Sequence, residues 1–282
     1  MTFAARETSR LNGRPFHLYT FRYGGDAGGV RRYTNLATEF VHGLDDNGKP
    51  AVYLPLPIQH GEVVSSGTLD KTALDVRLPE SGDIPDLYRD ETPSSVVSLI
   101  IRQGHAGDAD FKVHWAGKVI GTSYEDDEMV LTCEPISSSM RRSGLTRDYQ
   151  YTCPLVLYGS RCRASRAAAT SSHVIVAVDG AVVTLPAGWA TEEARRHYVG
   201  GVFEWSAGAN GKSRRTVISA GETMLVLSAA GRGLVAGIPV DLVKSCDKTM
   251  ETCRGVHQNI LNYGGQHEIP LVNPIGITNN YY

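Results

Sequence analysis

The amino-acid sequence predicts a mainly β protein with two β-rich domains and an irregular, cysteine-bearing C-terminal region. Short hydrophobic runs alternate with a period of two rather than 3.6, and Gly, Asn, Asp and Pro close most of them. Helix signals are few. The length of 282 residues suits one large or two medium domains.

Predicted strands of the first half lie at residues 15–23, 51–57, 73–78, 111–115, 118–124 and 128–135. Thr92 and Pro93 resemble a helix N-cap followed by proline at the first helical position. They predict a helix over residues 94–103, and the β-branched residues within that range leave a strand as the alternative.

The clearest hairpin of the second half joins residues 173–178 to 181–185 through Asp179-Gly180, because Asp-Gly accepts the positive φ of a two-residue turn. Glu192 and Glu193 predict the first turn of a helix over residues 191–197. Further strands are predicted at residues 202–206, 215–219 and 224–228.

These elements define four parts of the chain. We expect an N-terminal β domain over residues 1–136 and a first cysteine-bearing segment over residues 137–171. A second β domain over residues 172–240 and a second cysteine-bearing segment over residues 241–282 follow. The two cysteine-bearing segments are polar and irregular, so we expect something to hold them in place.

The charge balance limits the function classes. Lys and Arg number 28 against 30 Asp and Glu, and the basic excess typical of nucleic-acid-binding chains is missing. The sequence contains neither an apolar run long enough to span a bilayer nor a secretory signal. We therefore expect no direct nucleic-acid specificity, no membrane association and a reducing compartment, in which cysteines are metal ligands or buried thiols.

Four of the five cysteines lie in or beside the irregular segments. They form the pairs Cys153-x8-Cys162 and Cys246-x6-Cys253, whereas Cys133 lies within a predicted strand as a buried thiol. Neither pair has the C-x2–4-C spacing of structural zinc sites or a ferredoxin spacing. Spacing alone leaves metal ligation and unligated thiols open.

The surroundings of the first pair favour ligation. Arginines crowd it, at positions 141, 142, 147, 161, 163 and 166, with Asp148 as the one acid among them. Positive charge favours thiolate over thiol and offsets the charge of four thiolates. Enzyme signatures such as HExxH, GxSxG or a carboxylate pair are missing, so a β-rich hydrolase is the weaker alternative.

Two blocks of the sequence resemble phage tail hub proteins. This family includes the hub of gene transfer agents and, more distantly, the minor tail protein L of lambda-like siphophages. The C-terminal block comprises Cys246 to Thr249, Thr252-Cys253, Asn259 to Gly265, Ile269-Pro270 and Asn273-Pro274. The upstream block comprises Cys133 to Pro135, Arg141-Arg142, Gly144-Leu145, Tyr151-x-Cys153, Leu157 to Gly159 and Cys162.

The resemblance implies a structural, non-enzymatic virion protein at the tip of a long non-contractile tail, assembled in the host cytoplasm. Such a hub is a homotrimer with two tail-tube-like β domains per subunit. It joins the ring of distal tail protein to the central tail tip protein.

The resemblance also implies an iron–sulfur cluster of [4Fe–4S] type. Carried over residue by residue, its ligands are Cys153, Cys162, Cys246 and Cys253, and Cys133 is not a ligand. Zinc, or no metal, is the alternative. Two positions depart from the family pattern: Arg163, where relatives often have glycine, and His257, where an aromatic residue is common.

Overall fold

The computed structural model describes the chain except residues 1–2, 10–12, 24–28, 64–72, 90–91, 108–109, 142–149, 208–210 and 270–282. The chain divides into two compact units, one of residues 1–142 with 207–213 and one of residues 143–206 with 214–282. Each unit contains one large sheet, so the predicted mainly β class is confirmed. No helix in the described part of the chain is long and apolar enough to cross a membrane.

The first unit is built on nine strands. They are β1 Pro15–Arg22, β2 Val30–Thr34, β3 Phe40–Leu44, β4 Pro50–Pro55, β5 Gln59–His60, β6 Leu74–Pro79, β7 Ser98–His105, β8 Lys112–Glu125 and β9 Glu128–Pro135. Their order in the sheet is β3-β4-β2-β1-β7-β8-β9-β6-β5. Two short helices, α1 Phe3–Glu7 and α2 Asp83–Arg89, accompany them.

Strand β1 shows why the alternating pattern produces this fold. Tyr19 and Phe21 are almost fully buried in the main core of the unit. Phe16 and Leu18 face the other side and pack in a smaller core with strand β4. Because successive side chains of a strand point to opposite faces, one strand supplies both cores.

The helix predicted over residues 94–103 is wrong, and the strand alternative is correct. Strand β7 pairs with β1 on one side and β8 on the other, with Leu99 and Ile101 fully buried. A central strand that hydrogen-bonds on both sides and buries β-branched residues outweighs the local N-cap signal at Thr92. The segments predicted at residues 111–115 and 118–124 belong to one strand, β8, which contains register shifts.

The second unit contains a seven-stranded sheet in the order β10-β16-β13-β14-β15-β12-β11. The strands are β10 Thr170–Val174, β11 Ala177–Asp179, β12 Val182–Thr184, β13 Val202–Ser206, β14 Lys212–Ala220, β15 Met224–Leu227 and β16 Pro239–Val243. The helices are α3 Glu192–Arg196 and α4 Met250–Gly255.

Two local predictions are confirmed in this unit. Asp179 pairs with Val182 across the predicted turn, and Gly180 has a φ of 58°. The first arm of this hairpin is shorter than predicted, because residues 173 and 174 belong to β10, which pairs with β16, and only Ala177–Asp179 pairs with β12. Helix α3 begins after Thr191, whose side chain caps the helix by accepting a hydrogen bond from the Ala194 amide. Helix α4 was not predicted. It lies in the segment expected to be irregular.

The core of the second unit includes one buried carboxylate, Glu204, which is 2% exposed. It forms ion pairs with Arg166, at 2.6 Å, and with Arg214. A buried charge requires such partners. At least one arginine of the first cysteine-bearing segment therefore neutralises a core carboxylate.

Candidate metal centre

The four cysteines of the two predicted pairs line one cavity in the second unit. Cys153 and Cys162 come from the chain before β10, Cys246 follows β16, and Cys253 lies in α4. The other lining residues are Leu155, Leu157, Ala164, Lys248, Thr249, His257, Asn259 and Asn262.

All five cysteines of the chain are free, and those of the cavity differ in exposure. Cys162 and Cys253 are buried, whereas Cys153 and Cys246 are partly exposed. Cys133 lies in the main core of the first unit and not among the residues lining the cavity. The structure therefore brings together the four sulfurs that the sequence singled out and separates the fifth from them.

Hydrogen bonds tie the two cysteine-bearing segments together. The Cys153 amide donates to the Lys248 carbonyl at 2.9 Å, and the Lys248 ammonium donates to the Leu155 carbonyl at 2.5 Å. The Tyr263 hydroxyl donates to the Tyr151 carbonyl at 3.2 Å. The protein thus joins these segments through its own polar groups.

Asn259 connects one cysteine of each pair. Its side-chain amide donates to the Cys162 carbonyl at 2.5 Å and lies 3.7 Å from the Cys162 sulfur. The Cys253 thiol donates to the Asn259 carbonyl at 3.3 Å. Asn259 is 9% exposed, so these bonds are shielded from water. Sequence reasoning noted Asn259 only as part of a block and assigned it no role.

The backbone of this region is unusual. Among the described residues, five other than glycine have a positive φ, and four of them lie in the cysteine-bearing segments: Tyr158, Arg163, Lys248 and Gln258. Each such residue costs about 1–3 kcal/mol and persists only where its surroundings enforce it. At Lys248, this conformation places the amide 3.4 Å from the Cys246 sulfur, to which it donates.

Arg163 directly follows Cys162, and His257 lines the cavity. Arg163 has a φ of 58°, a conformation that favours glycine. The His257 ring packs edge-on against Tyr158 at 5.8 Å between centroids, and its Nε2 donates to the Ser245 carbonyl at 3.0 Å.

Burial raises the pKa of the Cys246 and Cys253 thiols above the ordinary value. For Cys253, the neighbouring thiols of Cys246, Cys153 and Cys162 raise the pKa further. Four thiolates this close together require a positive centre, because each one disfavours ionisation of the others. A metal ion replaces the protons of its thiol ligands, so the donor set fits a thiolate-bound metal group.

Part of the sequence-based prediction lies outside the described residues. This holds for Arg142, Gly144, Leu145, Arg147, Asp148, Pro270, Asn273 and Pro274. The blocks around the four cysteines themselves are described.

Comparisons with known proteins agree with the fold and with the C-terminal block. A chain of the virion of a native gene transfer agent (GTA) particle has a similar structure, with a TM-score of 0.74 and 19% identity over 99% of this chain and 97% of that chain. The family model described as phage conserved hypothetical protein BR0599 matches residues 196–273, which contain Cys246 and Cys253.

An uncharacterized protein of Xylella fastidiosa (strain 9a5c) is 26% identical over 175 residues. This match covers 58% of the present chain and 35% of that protein. The chain thus spans about a third of the length of this relative. The sequence analysis found a resemblance to virion proteins. Together, the comparisons confirm this resemblance at the level of the fold.

Proposed function

We propose that the protein is a structural virion component, the hub of a long non-contractile phage tail or of a related particle. In this role it forms a homotrimer that connects the distal tail ring to the central tip protein. It acts through subunit interfaces and not through turnover of a substrate. The proposal rests on the whole-length match to a chain of the GTA virion.

The surface of the first unit supports an assembling role. Strand β3 lies at one edge of the nine-stranded sheet and pairs with β4. Val41 and Val52 face each other across this pair and are 56% and 41% exposed, and Leu44 and Leu54 are exposed beside them. An edge strand with exposed apolar side chains invites pairing with another chain. We infer that a neighbouring subunit covers it.

Cys153, Cys162, Cys246 and Cys253 would hold an iron–sulfur cluster of [4Fe–4S] type in the second unit. When bound, the cluster supplies a covalent cross-link between the two cysteine-bearing segments. The apolar side chains of Leu155, Leu157 and Ala164 exclude water from it, and the Lys248 amide would donate to a ligand sulfur. The site is structural in this proposal.

A reconstruction of the intact tail tip tests the hub role. Three copies at the junction of the distal ring and the central tip are the expected result. Six copies, one copy or absence from the particle would overturn it. The count in the particle is decisive, because ring closure can depend on neighbouring proteins.

Anaerobic purification with iron, sulfide and zinc analysis tests the cluster. We expect a brown protein with about four iron and four sulfide per chain, the composition of the proposed cluster. A colourless protein with one zinc per chain would replace the cluster with a zinc site. A metal-free protein with all four thiols titratable would remove the metal centre altogether, and the hub role would stand or fall separately.

A further inference from the structure

Three histidines from three different strands meet in the first unit. His17 lies on β1, His60 on β5 and His114 on β8, and one ring nitrogen of each lies within 4.8 Å of the others. The ring centroids are 4.6 Å apart for His17 and His60, 5.5 Å for His60 and His114, and 5.7 Å for His17 and His114. None of these histidines belongs to the cysteine cavity.

The curvature of the sheet brings these three histidines together. Strands β1 and β5 are separated in the sheet by β7, β8, β9 and β6, so the sheet must curve to bring their side chains into contact. His17 shares the face of β1 with Tyr19, because residues two apart point the same way. Its side chain therefore points toward the concave, core-lining side.

A β-bulge provides the third member. On β8, Val113 pairs with Arg102 and Trp115 pairs with Ile101, which leaves His114 as the extra residue. Bulges redirect a side chain and are enriched next to functional sites. The irregularity in the ladder therefore lies at the residue that completes the histidine set.

The hydrogen bonds of His60 leave one nitrogen free to bind. Nδ1 lies 2.7 Å from the Gly61 carbonyl and donates to it, which leaves the lone pair of the neutral ring on Nε2. Nε2 is buried and has no hydrogen-bond partner in the described part of the chain. A backbone carbonyl that accepts a hydrogen bond from the other ring nitrogen orients a metal-bound imidazole and fixes its tautomer.

The other two rings are also suited to the neutral form. Burial, with His60 and His114 nearby, lowers the pKa of His17 to about 4. Burial and His60 lower the pKa of His114 as well, and Glu7 partly opposes this shift. Neutral imidazole is the form that ligates metals.

We propose that His17, His60 and His114 form a binding site for a divalent transition-metal ion, with Zn²⁺ as the reference ion. Imidazole ligands suit zinc, copper and nickel, whereas calcium and magnesium require oxygen ligands. Three imidazoles on a tetrahedral ion leave a fourth position for water or a group from another chain. The site depends neither on the cysteine cluster nor on the hub role.

Strand β5 shows what such an ion would do. It has two residues, pairs with β6 and lies at the end of the sheet formed by the described strands. An ion held by His60 together with His17 and His114 would cross-link this short edge strand to β1 and β8. The expected role is stabilisation of the rim of the first unit.

The test is Co²⁺ and Zn²⁺ binding to the full chain, expressed without a histidine tag and treated with chelator. Single variants H17Q, H60Q and H114Q remove one ligand each. H42Q is the matched control, because His42 lies on β3 of the same unit and packs on Phe111 outside the set. Co²⁺ spectra separate the two sites, since thiolate ligands produce an intense near-ultraviolet charge-transfer band that imidazoles lack.

We expect the native chain and H42Q to bind one Co²⁺ with a nitrogen-type spectrum, and each ligand variant to bind it at least tenfold more weakly. Zn²⁺ should raise the unfolding temperature of the native chain and of H42Q by more than that of H114Q, in which only the cysteine site remains to bind it. His114 is exposed, so H114Q is the variant most certain to fold. Absence of a nitrogen-type Co²⁺ site in the native chain, or unchanged binding in the folded H114Q variant, would overturn the proposal.

Discussion

The cysteines of this protein occupy two contrasting environments. Cys133 lies within β9, where it pairs with Leu74 of β6 and Val119 of β8 and is completely buried. Of the cysteines of the cavity, Cys153 and Cys246 lie in irregular chain, Cys162 lies in a turn and Cys253 lies in the short helix α4. The backbone around them includes four non-glycine residues with positive φ.

This difference separates a packing role from a binding role. Backbone pairing in the sheet fixes the position of residue 133, and any small side chain would leave that pairing in place. The Cys133 sulfur therefore contributes mainly apolar packing contact. The backbone around the cavity stores strain and holds four cysteines at one cavity, with the Lys248 amide donating to the Cys246 sulfur. If the cysteines bind a metal as proposed, this region gains stability from the bound metal, and the following predictions test the contrast with Cys133.

Serine substitution should produce the largest difference. C153S, C162S, C246S and C253S should each lose the metal and destabilise the second unit by about 3–5 kcal/mol, the range for a cross-link that closes a long loop. C133S should keep the metal and cost about 1–3 kcal/mol for a buried hydroxyl. Metal analysis and denaturant unfolding measure both effects. Equal metal loss in all five variants would contradict the contrast.

Alkylation should rank the thiols in the same order. Burial raises the pKa of Cys133 to about 12, so at pH 8 only about one molecule in 10⁴ carries the reactive thiolate. In chelator-treated native protein, the partly exposed Cys153 and Cys246 should react with iodoacetamide at least a hundredfold faster than Cys133. Peptide mass spectrometry over time measures the rates. Early labelling of Cys133 would show that its strand opens.

Loss of the Asn259 side chain should have an intermediate effect. N259A leaves the Cys162 carbonyl without its buried donor, at a cost of about 1–3 kcal/mol, and should speed metal loss to a chelator. N262A is the matched control. It removes one hydrogen bond to Asn259 and should cost about 1 kcal/mol or less with metal release nearly unchanged. If N259A and N262A lowered stability and sped metal release equally, the assigned role of Asn259 in holding Cys162 would be wrong.

Relief of backbone strain should produce the smallest effect. R163G places glycine at a φ of 58° and should stabilise the second unit by up to about 1 kcal/mol, because glycine adopts this conformation without a steric penalty. Arg161, on the other side of Cys162, has no positive φ, so R161G should be neutral or destabilising. Thermal unfolding of the metal-bound proteins compares them. A loss of stability in R163G would mean that its side-chain contacts outweigh the strain.

The sequence by itself determined the features that depend on near neighbours. Asp179-Gly180 specifies its hairpin through turn chemistry, and Thr191 with two following glutamates specifies α3 through capping and the helix dipole. The choice of four cysteines out of five also came from local pattern and resemblance, since Cys133 lies in an alternating strand. Whether the four bind a cluster stays a prediction.

Tertiary structure decided the features that depend on residues distant along the chain. Residues 98–105 form a strand because β1 and β8 pair with them on both sides, which no local signal at Thr92 conveys. The role of Asn259 emerges only where its amide meets Cys162, 97 positions earlier. The meeting of His17, His60 and His114 requires the curvature of a nine-stranded sheet and a one-residue bulge, because sequence spacing records neither strand order nor register.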